Sequence, residues 1–189
     1  VSDERPSVDA PDGVAIESAS SDDRLDVLRV LDAAMLETDA ETVDGAIGDT
    51  AVDDTAVDDD DETVDDASDP GDALVARFNR TGAVVGALVA TRPEPARLHV
   101  DAVAVRRARR GRGIGSALVA EAVRRAAGDA AIDAVTASFD PELKGFYTDL
   151  GFEIDRGGDT REIDGEAAEG ADPEDDAGGA DQLRGRCPV

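Results

Sequence analysis

The stretch from Leu98 to Ala117 constrains the fold more than any other part of the chain. An apolar run, Leu98 to Val105, leads through a loop of arginine and glycine into a helical pattern that begins at Ile114. Strand, glycine-bearing turn and helix in that order form one layer of an α/β unit. The turn also dictates chemistry. A helix N-terminus has unsatisfied N–H groups and carries about half a positive charge, so it suits a phosphate. Glycines at 111, 113 and 115 let the main chain come close and reach positive φ, making a nest of N–H donors. Arginines around them add charge-assisted hydrogen bonds.

Two familiar phosphate loops do not fit. A Walker A loop needs Lys-Ser/Thr after its last glycine, and Ser116-Ala117 follows Gly115. A dinucleotide fingerprint needs G-x-G-x-x-G/A. Its third small residue falls on Leu118 when counted from Gly113 and on Ile114 when counted from Gly111. The pattern that does fit is R/Q-x-x-G-x-G/A, met by Arg110-Gly111-Arg112-Gly113-Ile114-Gly115. It follows Val103-Ala104-Val105, opens a helix, and is followed downstream by Phe146-Tyr147-Thr148-Asp149-Leu150-Gly151-Phe152.

These two motifs, in this order, resemble the GNAT acetyltransferase superfamily. The resemblance is specific over residues 98–152, extends to 72–156, and is one of element type only in the N-terminal third. It implies an N-acetyltransferase that moves an acetyl group from acetyl-CoA to a primary amine by direct attack through a tetrahedral intermediate. It implies that Arg110, Gly111, Arg112, Gly113, Ile114, Gly115 and Ser116 hold the pyrophosphate. Val103, Ala104 and Val105 would pair with the pantetheine arm where neighbouring strands splay, their N–H groups polarising the thioester carbonyl. Tyr147 would be the general acid for the departing thiol, a role that a phenol with pKa near 10 suits. Many relatives have an asparagine seven residues before that tyrosine. Here Asp140 takes the place, and it also reads as an N-cap, which puts its contact with the cofactor in doubt.

For the base, the candidates are His99 and Asp101. Alternation with Val100 and Ala102 puts both on the face of Val103 unless a bulge intervenes. Either could take the proton of the amine directly or through water.

The remaining chain supplies a mixed α/β (α+β) sheet, mostly antiparallel, with helices on both faces. Gly13–Glu17 reads as a strand, and Leu25, Leu28, Leu31 and Met35 as the apolar face of a helix capped by Ser20 or Ser21. Residues 73–78, 83–91 and 97–105 read as a meander, with Arg80-Thr81-Gly82 as a turn and Pro93 and Pro95 as breaks. A helix over 114–127, a strand over 131–139 and a helix from Asp140-Pro141 follow. Leu143, Phe146, Tyr147 and Leu150 form the inner face of that second helix. Strands at 152–155 and 182–186 end the series. Within a domain spanning 13–156, preceded by a flexible 1–12, residues 41–71 read as an acidic, disordered insertion containing TAVDD twice in tandem. Residues 157–181 read as an acidic loop and 182–189 as the last strand and terminus.

Net charge is −26, from 45 acidic and 19 basic residues, of which only Lys144 is a lysine. Such self-repulsion opposes compaction unless salt screens it, and at 1 M salt the Debye length is about 3 Å. The expectation is a halophile-like, soluble cytoplasmic protein. No apolar run approaches a membrane span, and Val1-Ser2-Asp3-Glu4 lacks a signal-peptide pattern. One histidine and one cysteine, His99 and Cys187, argue against a metal centre. Five arginines within Arg106–Arg112 could attract nucleic acid, but the acidic remainder opposes a polyanion. A non-catalytic acyl-CoA sensor of the same fold is the alternative to an enzyme. The amine acceptor, whether small molecule, protein N-terminus or lysine, stays open, as does a homodimer.

Overall fold

A single sheet runs through the computed structural model, which describes residues 8–34, 36, 38, 40–47, 72–155 and 182–189. Its strands are β1 (Val14–Ser18), β2 (Asp72–Phe78), β3 (Val84–Glu94), β4 (Arg97–Val105), β5 (Ala134–Phe139), β6 (Glu153–Asp155) and β7 (Leu183–Pro188). They lie in the order β1-β2-β3-β4-β5-β7-β6. Every neighbouring pair is antiparallel except β4 and β5, which are parallel and joined by helix α3 (Ile114–Gly128). A parallel pair needs such a crossover, which carries the chain over one face of the sheet. The final strand does not extend the edge. β7 inserts between β5 and β6, hydrogen-bonded on both sides.

Two cores result, one on each face. Helix α3 packs Ile114, Leu118, Val119, Ala122 and Ala126 against Leu74, Leu88, Leu98, Val100 and Val135. Helices α1 (Arg24–Asp32) and α2 (Ala40–Ile47) cover the other face, over Val75, Ala87, Val89, Ala102 and Ala104. With so few aromatic residues, these layers are built from Val, Leu, Ile and Ala, and a fully buried Val, Leu or Ile side chain contributes about 1.5–3 kcal/mol. Gly86 is what lets α3 sit this close. A Cβ there would lie 3.2 Å from the Ala104 carbonyl oxygen and from side-chain atoms of Ile114 and Leu118.

Several expectations are corrected. The buried face of α1 is Val27, Val30 and Leu31, while Leu25 is 59% exposed. Both sets are spaced for a helix, and the docking of its first turn selects the phase. Residues 41–47 are not part of a loop but most of α2. Val43 and Ala46, three apart, are buried on the sheet, and Asp44 pairs with Arg24 of α1. The acidic composition concealed that short apolar stripe. The rest of the acidic tract, 48–71 with its repeat, and the loop 157–181 lie outside the described residues. Upstream, Val8 already packs against the core edge, within the segment expected to be flexible. β3 continues through Pro93 to Glu94, where the pairing with β4 becomes irregular and tolerates a residue that cannot donate. Leu143 is 43% exposed, because it closes a 3-10 turn (Pro141–Leu143) ahead of helix α4 (Lys144–Asp149) and so falls outside the helical face.

The start of α1 is locked by Asp23, 4% exposed and the one buried charged residue among those described. Its carboxylate accepts from the Ser20 N–H at 3.0 Å and the Ser20 hydroxyl at 2.8 Å, and pairs with Arg77 of β2. Burial alone would raise its pKa. The hydrogen bonds from Ser20 and Arg77 together with the Arg77 charge outweigh that and hold it below the ordinary 3.8. A depressed carboxyl pKa adds stability above the unfolded-state value and loses it as pH falls through the folded one. Asp23→Ala is therefore expected to lower the unfolding free energy by about 2–3 kcal/mol at pH 7. In urea melts the gap between variant and parent should close progressively below pH 4; a gap that is constant with pH would exclude the charged pair as its origin.

Candidate active site

One extra residue in β4 organises the centre of the sheet. Ala102 pairs with Val89 and Val100 with Ala90, which leaves Asp101 without a partner on β3. This bulge reverses the alternation of the strand. Leu98 and Val100 face α3, whereas beyond the bulge Val103 and Val105 face α3 and Ala102 and Ala104 face α1 and α2. His99 therefore lies on the α1/α2 face, opposite to Val103. The expectation that His99 and Asp101 share a face with Val103 fails for His99, and Asp101 is the exposed bulge residue itself.

The bulge also marks where β4 leaves β5. Their pairing covers only Arg97–Val100 against Ala134–Ala137. From Asp101 onward β4 is hydrogen-bonded to β3 alone, and a gap opens toward Ser138 and Phe139. The Arg106 N–H donates to the Val85 carbonyl at 2.9 Å, on the β3 side. Alternation then aims the main-chain groups of Val103 and Val105 into the gap. The Val105 carbonyl is met there by Arg110 Nε at 3.0 Å.

At the mouth of that gap stands the arginine–glycine loop. Gly111 and Gly113 have φ of 69° and 78°, in the left-handed region, and a Cβ on either would meet nothing within 4 Å. The first backbone bond of α3 is Ala117 N–H to the Gly113 carbonyl, 2.9 Å. Among the described residues the amides from Gly111 to Ser116 thus have no protein acceptor. Such an arrangement of main-chain donors is suited to an anion. Ile114 is buried and pins the helix start beneath the sheet, and Ser116 is half-buried. The arginines divide their work. Arg110 ties the loop to β4, Arg109 stacks over the Phe78 ring at 4.5 Å, and Arg112 is exposed. None of Arg106, Arg107, Arg109, Arg110 and Arg112 makes an ion pair among the described residues.

Tyr147 lies under the gap on the α3 side. It stacks on Phe139 of β5, with centroids 4.0 Å apart, and meets Phe146 and Phe152 edge-on at 5.0 and 5.2 Å. Three of the chain's four phenylalanines therefore surround its one tyrosine. The residue is 3% exposed, and its hydroxyl makes no hydrogen bond among the described residues. Phe146 also reaches the loop, since a Cβ on Gly115 would lie 3.8 Å from its ring and 3.7 Å from Val105 Cγ2. Asp140 occupies the cap position as expected, with its carbonyl accepting from Leu143 N–H at 2.9 Å. Its side chain makes no capping bond, so that part of the expectation fails. His99 Nδ1 lies 2.9 Å from Thr136 Oγ1 of β5. Sequence reasoning missed Thr136 and Gly86. Thr136 is one polar residue in an apolar strand, and the only signal for Gly86 was a glycine inside Val84–Ala90.

The result is a mixed sheet whose central parallel pair parts behind a loop of free main-chain donors. The chain belongs to the acetyltransferase (GNAT) family, whose model matches residues 39–152. No curated protein matches it significantly. Among solved structures, a GNAT acetyltransferase from Brucella melitensis in complex with acetyl-CoA is 22% identical, with a TM-score of 0.53, over 74% of this chain and 82% of that one. Naa50 of Arabidopsis thaliana, in complex with the bisubstrate analogue CoA-Ac-MVNAL, is 15% identical with a TM-score of 0.57, over 92% and 97%. A Pyrococcus horikoshii chain assigned to the acetyltransferases is 18% identical with a TM-score of 0.55. The match covers 78% of the present chain but only 46% of that one. At these identities the likeness is one of fold. No helix among the described residues is long and apolar enough to cross a membrane.

Burial pushes the Tyr147 hydroxyl from its ordinary 10.0 up to about 12. With one tyrosine and no tryptophan, absorbance near 295 nm reads this group alone. The titration should have its midpoint near 12 in the folded protein and near 10 in denaturant. A raised pKa adds stability that is fully present below pH 10 and is lost as pH rises through 12. The loss amounts to roughly 2–3 kcal/mol. A folded-state midpoint near 10 would show the phenol to be hydrated.

Proposed function

We propose that this protein transfers the acetyl group of acetyl-CoA to a primary amine. The observation that carries the reading is the parting of β4 from β5 at Asp101, which leaves main-chain donors at Val103 and Val105 facing a gap that ends at the phosphate cradle. The diphosphate would rest on the amides from Gly111 to Ser116, with Arg112 beside them. The pantetheine arm, itself an extended chain of amides, would add to the edge of β4 as a strand would. The thioester supplies an electrophilic carbon and a thiol leaving group. Acetyl-CoA binding by the Brucella protein of the same fold supports this seat.

Two groups flank the gap from opposite faces. On the α3 face, Tyr147 offers an O–H with no other acceptor. Its raised pKa changes the role expected from a phenol near 10. A group near 12 is a weaker acid than an ordinary thiol, with pKa about 8.5. Tyr147 therefore keeps its proton through the bond-breaking step and stabilises the departing sulfur by a hydrogen bond. On the other face, His99 is held by Thr136. When Nδ1 donates to Thr136 Oγ1, Nε2 presents the lone pair that can take the proton of the amine. Asp101, exposed at the bulge, can attract or deprotonate the amine through water. The excess of carboxylates over the rest of the surface further supports a setting of molar salt, where such repulsion is screened.

The seat is tested at Gly113. Gly113→Ala introduces the strain of positive φ, about 1–2 kcal/mol, and should weaken acetyl-CoA binding only modestly. Gly113→Glu adds a carboxylate in the cradle and is expected to abolish binding in calorimetry; equal affinity in the two variants would remove the diphosphate from this loop. Tyr147→Phe should leave the Kd for acetyl-CoA nearly unchanged and lower kcat about 100-fold in a thiol-release assay over an amine panel. Tight binding with no thiol release from any amine, in the parent protein, would favour an acyl-CoA sensor instead.

A further inference from the structure

Resting on that reading, the geometry of β7 points to a narrower class of acceptor. We propose that the amine substrate also carries a carboxylate, which Arg184 and Arg186 bind.

The direction of approach comes first. On the α3 face, the space beneath the gap is filled by Tyr147 and the phenylalanines around it. An amine can reach a thioester in the gap only from the opposite face. There α1 and α2 pack on β2, β3 and β4. Beyond them the sheet presents a polar row in register. Thr91 of β3 pairs with His99 of β4, His99 with Thr136 of β5, and Thr136 with Arg186 of β7. Ser138, on the β5 wall of the gap, pairs with Arg184. Gly185 and Cys187 point the other way, into the core, where a Cβ on Gly185 would crowd Phe139 at 3.0 Å. Arg184 and Arg186 are thus exposed on the approach face, one strand spacing of about 4.8 Å from the residues that line the gap.

That neither makes an ion pair among the described residues is the second observation. On the helices and strands described, Arg24, Arg29, Arg77, Arg92, Arg97, Arg124 and Arg125 each pair with a carboxylate. On the strands and α-helices Arg184 and Arg186 are the exceptions, and they share the lack of an ion pair among the described residues with the five arginines from Arg106 to Arg112. Two exposed guanidinium groups on one face, without an ion pair among the described residues, offer donors to an anion. Acidic neighbours do exist. Glu153 lies opposite Arg186 and Asp155 opposite Arg184 in the β6–β7 register, and Asp101 is exposed at the bulge. Among the side chains described, which leave out that of Asp155, neither arginine makes an ion pair. Paired N–H donors on each guanidinium match a carboxylate and hold it by short-range hydrogen bonds, which survive salt better than a diffuse field does. Because the arginines stand one strand beyond the gap, the carboxylate must lie several bonds from the reacting nitrogen.

The full chain is assayed for thiol release at saturating acetyl-CoA with three acceptors of similar size, 4-aminobutyrate, butylamine and 1,4-diaminobutane. The expected kcat/KM for 4-aminobutyrate exceeds that for butylamine by about 10- to 100-fold, the worth of a charge-assisted hydrogen bond. The double variant Arg184→Gln/Arg186→Gln should raise KM for 4-aminobutyrate and bring the ratio near one. Both positions are exposed, so folding is not at stake. Arg184→Glu/Arg186→Glu should shift preference toward 1,4-diaminobutane. The proposal is overturned if butylamine or the diamine equals 4-aminobutyrate in the parent, or if the preference survives the double substitution. Acetyl-CoA binding by calorimetry separates the levels. Binding without turnover of any of the three sinks the acceptor assignment alone, and absence of binding sinks the acetyl-transfer reading with it.

Discussion

The site depends on a single unpaired residue in β4. Asp101 adds one position to that strand, and a strand has a period of two, so every side chain after it changes face. Even-numbered Leu98 and Val100 face the α3 core before the bulge, whereas after it Val103 and Val105 face that core and Ala102 and Ala104 face the α1/α2 core. The added twist also ends the pairing with β5 after Val100. Without that break the parallel pair would continue and the edge amides of Val103 and Val105 would be satisfied within the sheet. A gap in the middle of a sheet is costly, because unpaired main-chain groups there lose hydrogen bonds. It persists here because α3 and the flanking cores hold both strands independently.

The two faces of the gap have opposite characters. Beneath it, Phe139, Phe146 and Phe152 enclose Tyr147, and burial raises its pKa to about 12. Above it, Thr91, His99, Thr136 and Ser138 present polar groups, with the arginines of β7 alongside. The proposed transfer, with an amine on one side of a thioester and a departing thiol on the other, would use this asymmetry. Late insertion of β7 between β5 and β6 is what sets the arginines there.

Charge acts at two ranges in this chain. Its net value of −26 is a matter of solubility and screening. Locally, carboxylates anchor most arginines of the regular elements, and Asp23 with Arg77 fixes how α1 leaves β1. The loop arginines escape that pairing. Arg109 and Arg110 are used internally, on Phe78 and on the Val105 carbonyl, which shapes the cradle and leaves its amides exposed.

Much of this was readable in the amino-acid order alone. The glycines at 111 and 113 require positive φ, the apolar run before them requires a strand, and Ile114 onward has helical spacing, so strand, cradle and helix follow from local preferences. So did the meander and the strand order of types, and Tyr147 stood out as one phenol in a family-like motif. What the order could not reveal were facts of register and phase. Nothing in His99-Val100-Asp101-Ala102 announces which residue is extra, because a bulge is decided by competition between two faces for burial. The stripe of α1 was ambiguous between Leu25 and Val27 until Asp23 met Arg77, and Val43 and Ala46 of α2 were hidden among acidic residues. The place of β7, and with it the side on which Arg184 and Arg186 stand, is a long-range pairing across residues remote in the chain. Local sequence carries propensities of a few residues at a time, whereas burial and strand pairing are settled only when distant segments compete for the same surface.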